Sequence, residues 1–151
     1  MNIVIKRKTI LILLLLLWMI TVFLFSAQNA TRSSKVSGNL TDTILDLLNV
    51  SKEHREMAET LIRKLAHFTI YAVGGVLAMC CFSECKLGSN KNIIVSQMFG
   101  TLYAITDEVH QYFVPGRACQ LRDVLIDSLG IASGIIIVLI IRKILTKKEG
   151  R

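Results

Sequence analysis

Four stretches of this chain carry no charged residue: 9–25, 68–83, 92–106 and 128–141. A helix that crosses a bilayer needs about 20 mainly apolar residues, within a range of about 17–25. The last three stretches reach that length only with their polar flanks included. Polar residues therefore sit at the ends of the spans, within reach of the membrane surface. The composition agrees: hydrophobic residues make up 52% of the chain and mean hydropathy is +0.54, above an ordinary soluble domain. The expected fold is all-α, an integral membrane protein of 151 residues in a single domain. It has four transmembrane helices at residues 9–25, 61–82, 92–113 and 122–145. A short amphipathic helical segment is expected between spans one and two.

The formal net charge is +7. On a soluble protein this would point to nucleic acid or an anionic surface. Among spans it reads as topology, and no nucleic-acid partner is expected. The groups Lys6-Arg7-Lys8, Lys86 with Lys91, and Arg142-Lys143 with Lys147-Lys148 fall on one side of a four-span chain. The positive-inside tendency makes that side cytoplasmic, with both termini there. Ten basic residues then lie inside and eight outside, a shallow bias. Several outside cations have acidic neighbours or belong to a polar site. The first span begins like a signal peptide. Its apolar run exceeds the usual length of about 7–15 residues and no A-x-A pattern follows, so it reads as a retained anchor.

Residues 26–40, rich in Ser and Asn, read as a loop. In residues 41–62, Ile44, Leu45, Leu47 and Leu48, then Met57, Ala58 and Leu61, recur near helical spacing. Asn49-Val50-Ser51 is expected to break them into two short helices that lie on the outer surface or form a lid. Pro115-Gly116 ends span three. Trp18, Tyr112 and Phe113 read as interface aromatics, His54 as a solvated surface residue, and Arg63 as snorkelling to headgroups. Cys80, Cys81, Cys85 and Cys119 make no disulfide framework, and Cys81-x3-Cys85 alone is no zinc site. They read as small apolar fillers with one exposed thiol.

Residues 104–127 set Asp107, Glu108, His110, Gln111, Arg117, Arg122, Asp123 and Asp127 between two apolar runs. A charge at the centre of a span costs at least roughly 2.5–3.5 kcal/mol, so a chain carrying several of them puts them to use. Helical geometry groups them further. Lys64, His67, Tyr71 and Gly75 fall within roughly 80° of one another. Ser96, Gly100, Tyr103, Asp107 and Gln111 make a second stripe with His110 beside it. Asp123, Asp127, Gly130 and Gly134 fall within roughly 60°. Glu108 points roughly 100° away from Asp107. With spans two and four entering from outside and span three leaving there, every ionisable member lies in the outer third. Gly74-Gly75 and Gly130-x3-Gly134 allow close helix approach beneath them. His67, Asp107, His110 and Asp127 are thus expected to turn toward one shared pocket.

That pocket has three readings. Lys64, Arg117 and Arg122 suit an anionic headgroup, with Tyr71, Glu108, Gln111 and Asp123 as further ligand contacts. His67, Asp107, His110 and Asp127 suit acid–base catalysis, since burial moves both carboxyl and imidazole pKa values. Alternatively, Asp107 and Asp127 pair with Arg117 or Lys64 and only hold helix register. His67, Asp107, Glu108 and His110 are numerous enough for a divalent ion, but their order is no metal signature, so no cofactor is expected. No Ser or Cys nucleophile motif is present.

Four elements resemble the VanZ-like family of bacterial membrane proteins. They are Phe25-Ser26-Ala27-Gln28, Arg63-Lys64-x-x-His67-Phe68-x-x-Tyr71, Thr106-Asp107-Glu108-x-His110-Gln111-x-Phe113-x-Pro115-Gly116-Arg117, and Asp123-x3-Asp127-x2-Gly130-x3-Gly134. The resemblance implies a small multi-pass protein of the bacterial cytoplasmic membrane. The family's namesake is associated with low-level resistance to the glycopeptide teicoplanin, which supplies a setting and not a reaction. The expected partners are the lipid bilayer and an anionic lipid or lipid-linked cell-wall precursor. The expected functions are engagement of such a molecule, a hydrolase or transferase acting on it, or a structural ion-pair cluster without catalysis.

Overall fold

The apolar runs lie within helices longer than the runs themselves. The computed structural model describes residues 2–28, 30–47, 55–85 and 87–149. Among these are five α-helices and no strand: α1 (Asn2–Ser26), α2 (Ala30–Leu47), α3 (Arg55–Ser83), α4 (Ser89–Tyr112) and α5 (Leu121–Glu149). Three helices among the described residues are long and apolar enough to cross a membrane: Lys6–Ser26 within α1, Arg55–Ser83, and Leu121–Lys148 within α5. α4 is 24 residues long, but its buried Asn92, Ser96, Asp107, Glu108 and Gln111 make it more polar than the other three. Its exposed large hydrophobic side chains are Ile94, Met98, Leu102, Ile105 and Val109, together with terminal Tyr112. α4 therefore turns polar groups inward and apolar groups outward, the reverse of a helix on a soluble protein.

Two expectations about the chain between spans one and two are corrected. Most of the stretch expected to be a loop is helical, within α2. Its small residues Ser37, Gly38 and Thr41 are buried on one stripe with Leu45. Ser37 Oγ donates to Glu59 Oε1 at 2.8 Å, and Arg55 Nε donates to Asp42 Oδ1 at 2.7 Å, tying α2 to α3. These tertiary contacts override weak intrinsic helix propensity. The expected second short helix is instead the first turns of α3, whose 29 residues span about 44 Å at 1.5 Å each, beyond a hydrocarbon core of about 30 Å. The expected break at Asn49-Val50-Ser51 and His54 lie outside the described residues.

Sequence sets the connections at α4. Gly88 precedes it with a φ of 83°, and after Tyr112 the chain turns through Pro115 and Gly116, where φ is 77°. Proline has no N–H to continue the helix, and glycine takes the left-handed φ without a Cβ clash.

α3 and α5 make the most extensive helix contact, and glycines make it close. A Cβ at Gly130 would lie 2.5 Å from the Phe68 carbonyl oxygen. One at Gly75 would overlap the Ile131 carbonyl, and one at Gly134 the Ala72 carbonyl. The close approach expected of Gly130-x3-Gly134 and Gly75 is therefore made backbone to backbone. Gly74 serves α1 instead, since a Cβ there would enter the Trp18 ring.

Trp18 accordingly corrects another expectation. It is 6% exposed, in the core, and not an interface aromatic. Its Nε1 donates to the Ile70 carbonyl at 2.8 Å, and its ring meets Tyr71 edge-on with centroids 5.6 Å apart. The Ile70 carbonyl's own helical partner lies toward α3's C-terminus, so the indole docks α1 sideways onto α3. Trp18→Phe should lower unfolding free energy by about 1 kcal/mol, the net worth of one such hydrogen bond. An unchanged denaturation midpoint would show that the bond from the indole N–H to Ile70 adds no net stability. Tyr112 and Phe113 are exposed. All four cysteines are free: Cys81 is buried and Cys80 half-buried, while both Cys85 and Cys119 are exposed.

Candidate functional site

Ser26 at the end of α1, the first turns of α3, the last turns of α4, the 113–120 connection and the start of α5 meet at one end of the bundle. At the other end Arg7 pairs with Glu84 at 3.3 Å, and Arg142 Nη2 donates to Ser83 Oγ at 2.9 Å. The antiparallel order of α3, α4 and α5 thus brings sequence-distant polar segments together.

A hydrogen-bonded chain crosses the site end. Gln111 Nε2 donates to Asp107 Oδ2 at 3.0 Å, and Gln111 Oε1 accepts from Arg117 Nη1 at 3.0 Å. Arg117 Nε donates to the Gln28 backbone carbonyl at 3.1 Å. Both terminal groups of Gln111 are thereby committed, and α4, the 113–120 connection and the end of α1 are linked. Burial, then repulsion from Arg63, lowers the Arg117 pKa from its ordinary value, while Asp107 and Glu108 raise it. Guanidinium stays charged even so.

The second set of contacts joins α3 to α5. His67 Nδ1 lies 3.6 Å from Asp127 Oδ1, beyond hydrogen-bond reach but close enough for strong coupling. Lys64 Nζ lies 3.9 Å from Asp123 Oδ1, both side chains about one-third exposed. Such a pair is worth about 0–1 kcal/mol. The structure thus pairs Lys64 with Asp123, and Asp127 with His67. Asp107 hydrogen-bonds Gln111, not Arg117.

Two cavities open here. One, about 440 Å³, is lined by Arg63, Lys64, Arg117 and Arg122, by Asp123 and Asp127, and by Thr60, His67, Gln111 and Gln120. The other, about 330 Å³, is largely apolar, with Val22, Phe25, Leu40, Ile62, Ala66 and Ile70 on its wall together with Ser26, Tyr71 and Asp107. Arg63, His67 and Arg117 line both. Both volumes suit a small molecule or part of a lipid.

Several polar atoms in these walls find no hydrogen-bond partner among the described residues. They include both carboxylate oxygens of Asp127, Asp123 Oδ1, His67 Nδ1, the Tyr71 hydroxyl and Ser26 Oγ. Asp127 and Tyr71 are fully buried. A buried polar group left without a partner costs about 1–3 kcal/mol, more if charged. No three His, Cys, Asp or Glu side chains among the described residues converge as a metal site.

The expected residues thus divide. His67, Gln111, Arg117, Asp123 and Asp127, with Lys64, line the polar cavity. Asp107 and Tyr71 line the apolar one. His110 lines neither: its ring stacks on Phe23 of α1 with centroids 4.5 Å apart. The expected turn of His110 into the shared pocket is therefore not made, because α1 occupies that flank of α4. Glu108 is buried away from both cavities, and its Oε2 accepts from the Gln120 N–H at 2.9 Å, fixing the approach to α5. Arg63 does more than reach for headgroups, since it pairs with Glu59 and lines both cavities. Sequence reading gave no role to the Gln28 carbonyl, Thr60 or Gln120. A carbonyl's direction leaves no trace in residue identity, although Ser26 and Gln28 stood out through the resemblance.

A family model described as VanZ/LLP1 matches residues 11–142, a range that contains both cavities. No curated protein and no solved structure matches the chain.

Proposed function

We propose, from the premise that the chain belongs to the VanZ/LLP1 family, that it is a four-span bacterial membrane protein that engages an anionic envelope lipid or lipid-linked cell-wall precursor. The headgroup sits in the polar cavity and the hydrocarbon chain in the apolar one. The observation that carries this reading is the shared wall: Arg63, His67 and Arg117 line both cavities. A cationic compartment joined to an apolar one has the polarity pattern of an amphiphile. Around the polar cavity stand four Lys or Arg side chains against two aspartates, so a negative headgroup is favoured.

The outward apolar stripe of α4 supports its counting as the fourth span. With four spans, the basic groups at the ends of α1 and α5 put both termini in the cytoplasm and the cavities on the outer face. A protein that holds or screens envelope lipids there would alter access of a glycopeptide such as teicoplanin to its target, in line with the family's namesake.

Native mass spectrometry tests the reading. Delipidated protein is offered phosphatidylglycerol and phosphatidylcholine of the same chain length in equal amounts. Adducts of the anionic lipid should dominate by about tenfold, the effect of one charge-assisted contact set. Equal adducts of both lipids would overturn the proposal. A second reading, acid–base catalysis, is favoured by the His67–Asp127 pair at 3.6 Å on the polar wall. Conversion of the bound lipid to a lighter product would mark it, and an unchanged lipid mass would retire it for that substrate.

A further inference from the structure

Cations explain only half of the polar cavity. The same wall carries Asp123 and Asp127. Asp127 is fully buried, and no donor among the described residues reaches either of its carboxylate oxygens. His67 stands 3.6 Å away, so it supplies field but no hydrogen bond. Asp123 Oδ1 is likewise without a hydrogen bond, with Lys64 at 3.9 Å. A site built for a bare phosphate would exclude such carboxylates, because they repel the anion. Acceptors grouped with cations ask for a molecule that brings negative charge and hydrogen-bond donors together.

The geometry points to a hydroxylated phosphate headgroup, a glycerol or sugar phosphate, whose phosphate meets Arg63, Arg117 and Arg122 while its hydroxyls donate to Asp127 and Asp123. This rests on the amphiphile reading above and adds the headgroup's chemistry to it. Carboxylates are strong acceptors for hydroxyl donors, and charge-assisted bonds of this kind are stronger than neutral ones. They also discriminate, because a ligand lacking the hydroxyl leaves the buried carboxylate unpaired. Asp127 and Asp123 are thus specificity residues, and the arginines provide affinity. The two aspartates are four positions apart on α5, so both can face one polyol.

The test compares phosphatidylglycerol with phosphatidic acid, matched in acyl chains, on delipidated full-length protein in nanodiscs of phosphatidylcholine. Phosphatidic acid carries more negative charge at neutral pH and no alcohol hydroxyl on its headgroup, so electrostatics alone would favour it. Wild-type protein should prefer phosphatidylglycerol by about tenfold. Asp127→Ala should bring the ratio near one, through weaker phosphatidylglycerol binding and undiminished phosphatidic acid binding. Asp123→Ala, at a half-buried site in the first turn of α5, should narrow the ratio too and serves if Asp127→Ala does not fold. Equal or stronger wild-type binding of phosphatidic acid would overturn the inference and leave the anionic-lipid reading standing. Binding of neither lipid would overturn both. A preference unchanged in both folded variants would remove the aspartates from the headgroup site. sn-Glycerol 3-phosphate forms the last arm. Competition at lipid-like concentrations would support the same chemistry with a soluble source, and failure to compete would support the lipid.

Discussion

Gly134→Val should lower the unfolding free energy by about 3 kcal/mol or more, at or above the upper end for overpacking. A Cβ at this position overlaps the Ala72 carbonyl and comes within 2.8 Å of the Val76 backbone nitrogen. Neither atom is a flexible side-chain end that can swing away. Both helices would have to separate along the contact made by Gly75 and Gly130. Without a hydrophobic driving force between helices in lipid, close packing is the main attraction, so separation is not offset elsewhere. Leu129→Val, on the exposed face of α5, should stay within about 0.5 kcal/mol of wild type. Thermal unfolding in detergent compares the two. An equal fall in both variants would mean that α3 and α5 do not meet backbone to backbone.

Arg117→Ala should weaken binding of an anionic lipid by about 10–100-fold, as expected for a buried-side charged donor with several partners. Its guanidinium stands on the wall shared by both cavities while Nε and Nη1 hold Gln28 and Gln111. Removing it deletes positive charge, releases Gln111 Oε1 and frees the end of α1. Arg117→Lys separates these effects. An ammonium keeps the charge but cannot reproduce the planar fork that meets two acceptors at once. It should recover part of the loss, and the recovered part should weaken as salt is raised. Titrating each variant with phosphatidylglycerol in nanodiscs gives the measurement. Wild-type affinity in Arg117→Ala would place the headgroup elsewhere.

Much of this arrangement was written in local patterns. The four uncharged runs lie inside α1, α3, α4 and α5. The glycine spacing on α5 anticipated its contact with α3. Helical arithmetic put Lys64, His67 and Tyr71 on one stripe, and they line the two adjoining cavities. Where reading failed, the missing information was non-local. The first part of α2, residues 30–40, looked like a loop because Ser, Asn and Thr favour caps and turns by themselves. Its helix is held by Glu59 and Arg55 of another element. Trp18 looked interfacial because tryptophan as a residue type is enriched at membrane surfaces, but it stands at mid-span, where Gly74 on α3 opens the space that takes its ring. His110 lay beside the stripe that holds Asp107, yet Phe23 takes its ring.

By itself the sequence determined the all-helical class, the membrane-like character of its long runs, and the faces on which polar groups gather. Each follows from periodicity and burial cost within one segment, where neighbours are set by the helix repeat. The tertiary structure alone decided which faces meet. It matched Asp127 with His67 and Lys64 with Asp123, linked Arg117 to the end of α1, and sent His110 outside the cavities. Those choices depend on how helices rotate and close on one another, and that is settled by the summed packing of residues far apart in the chain.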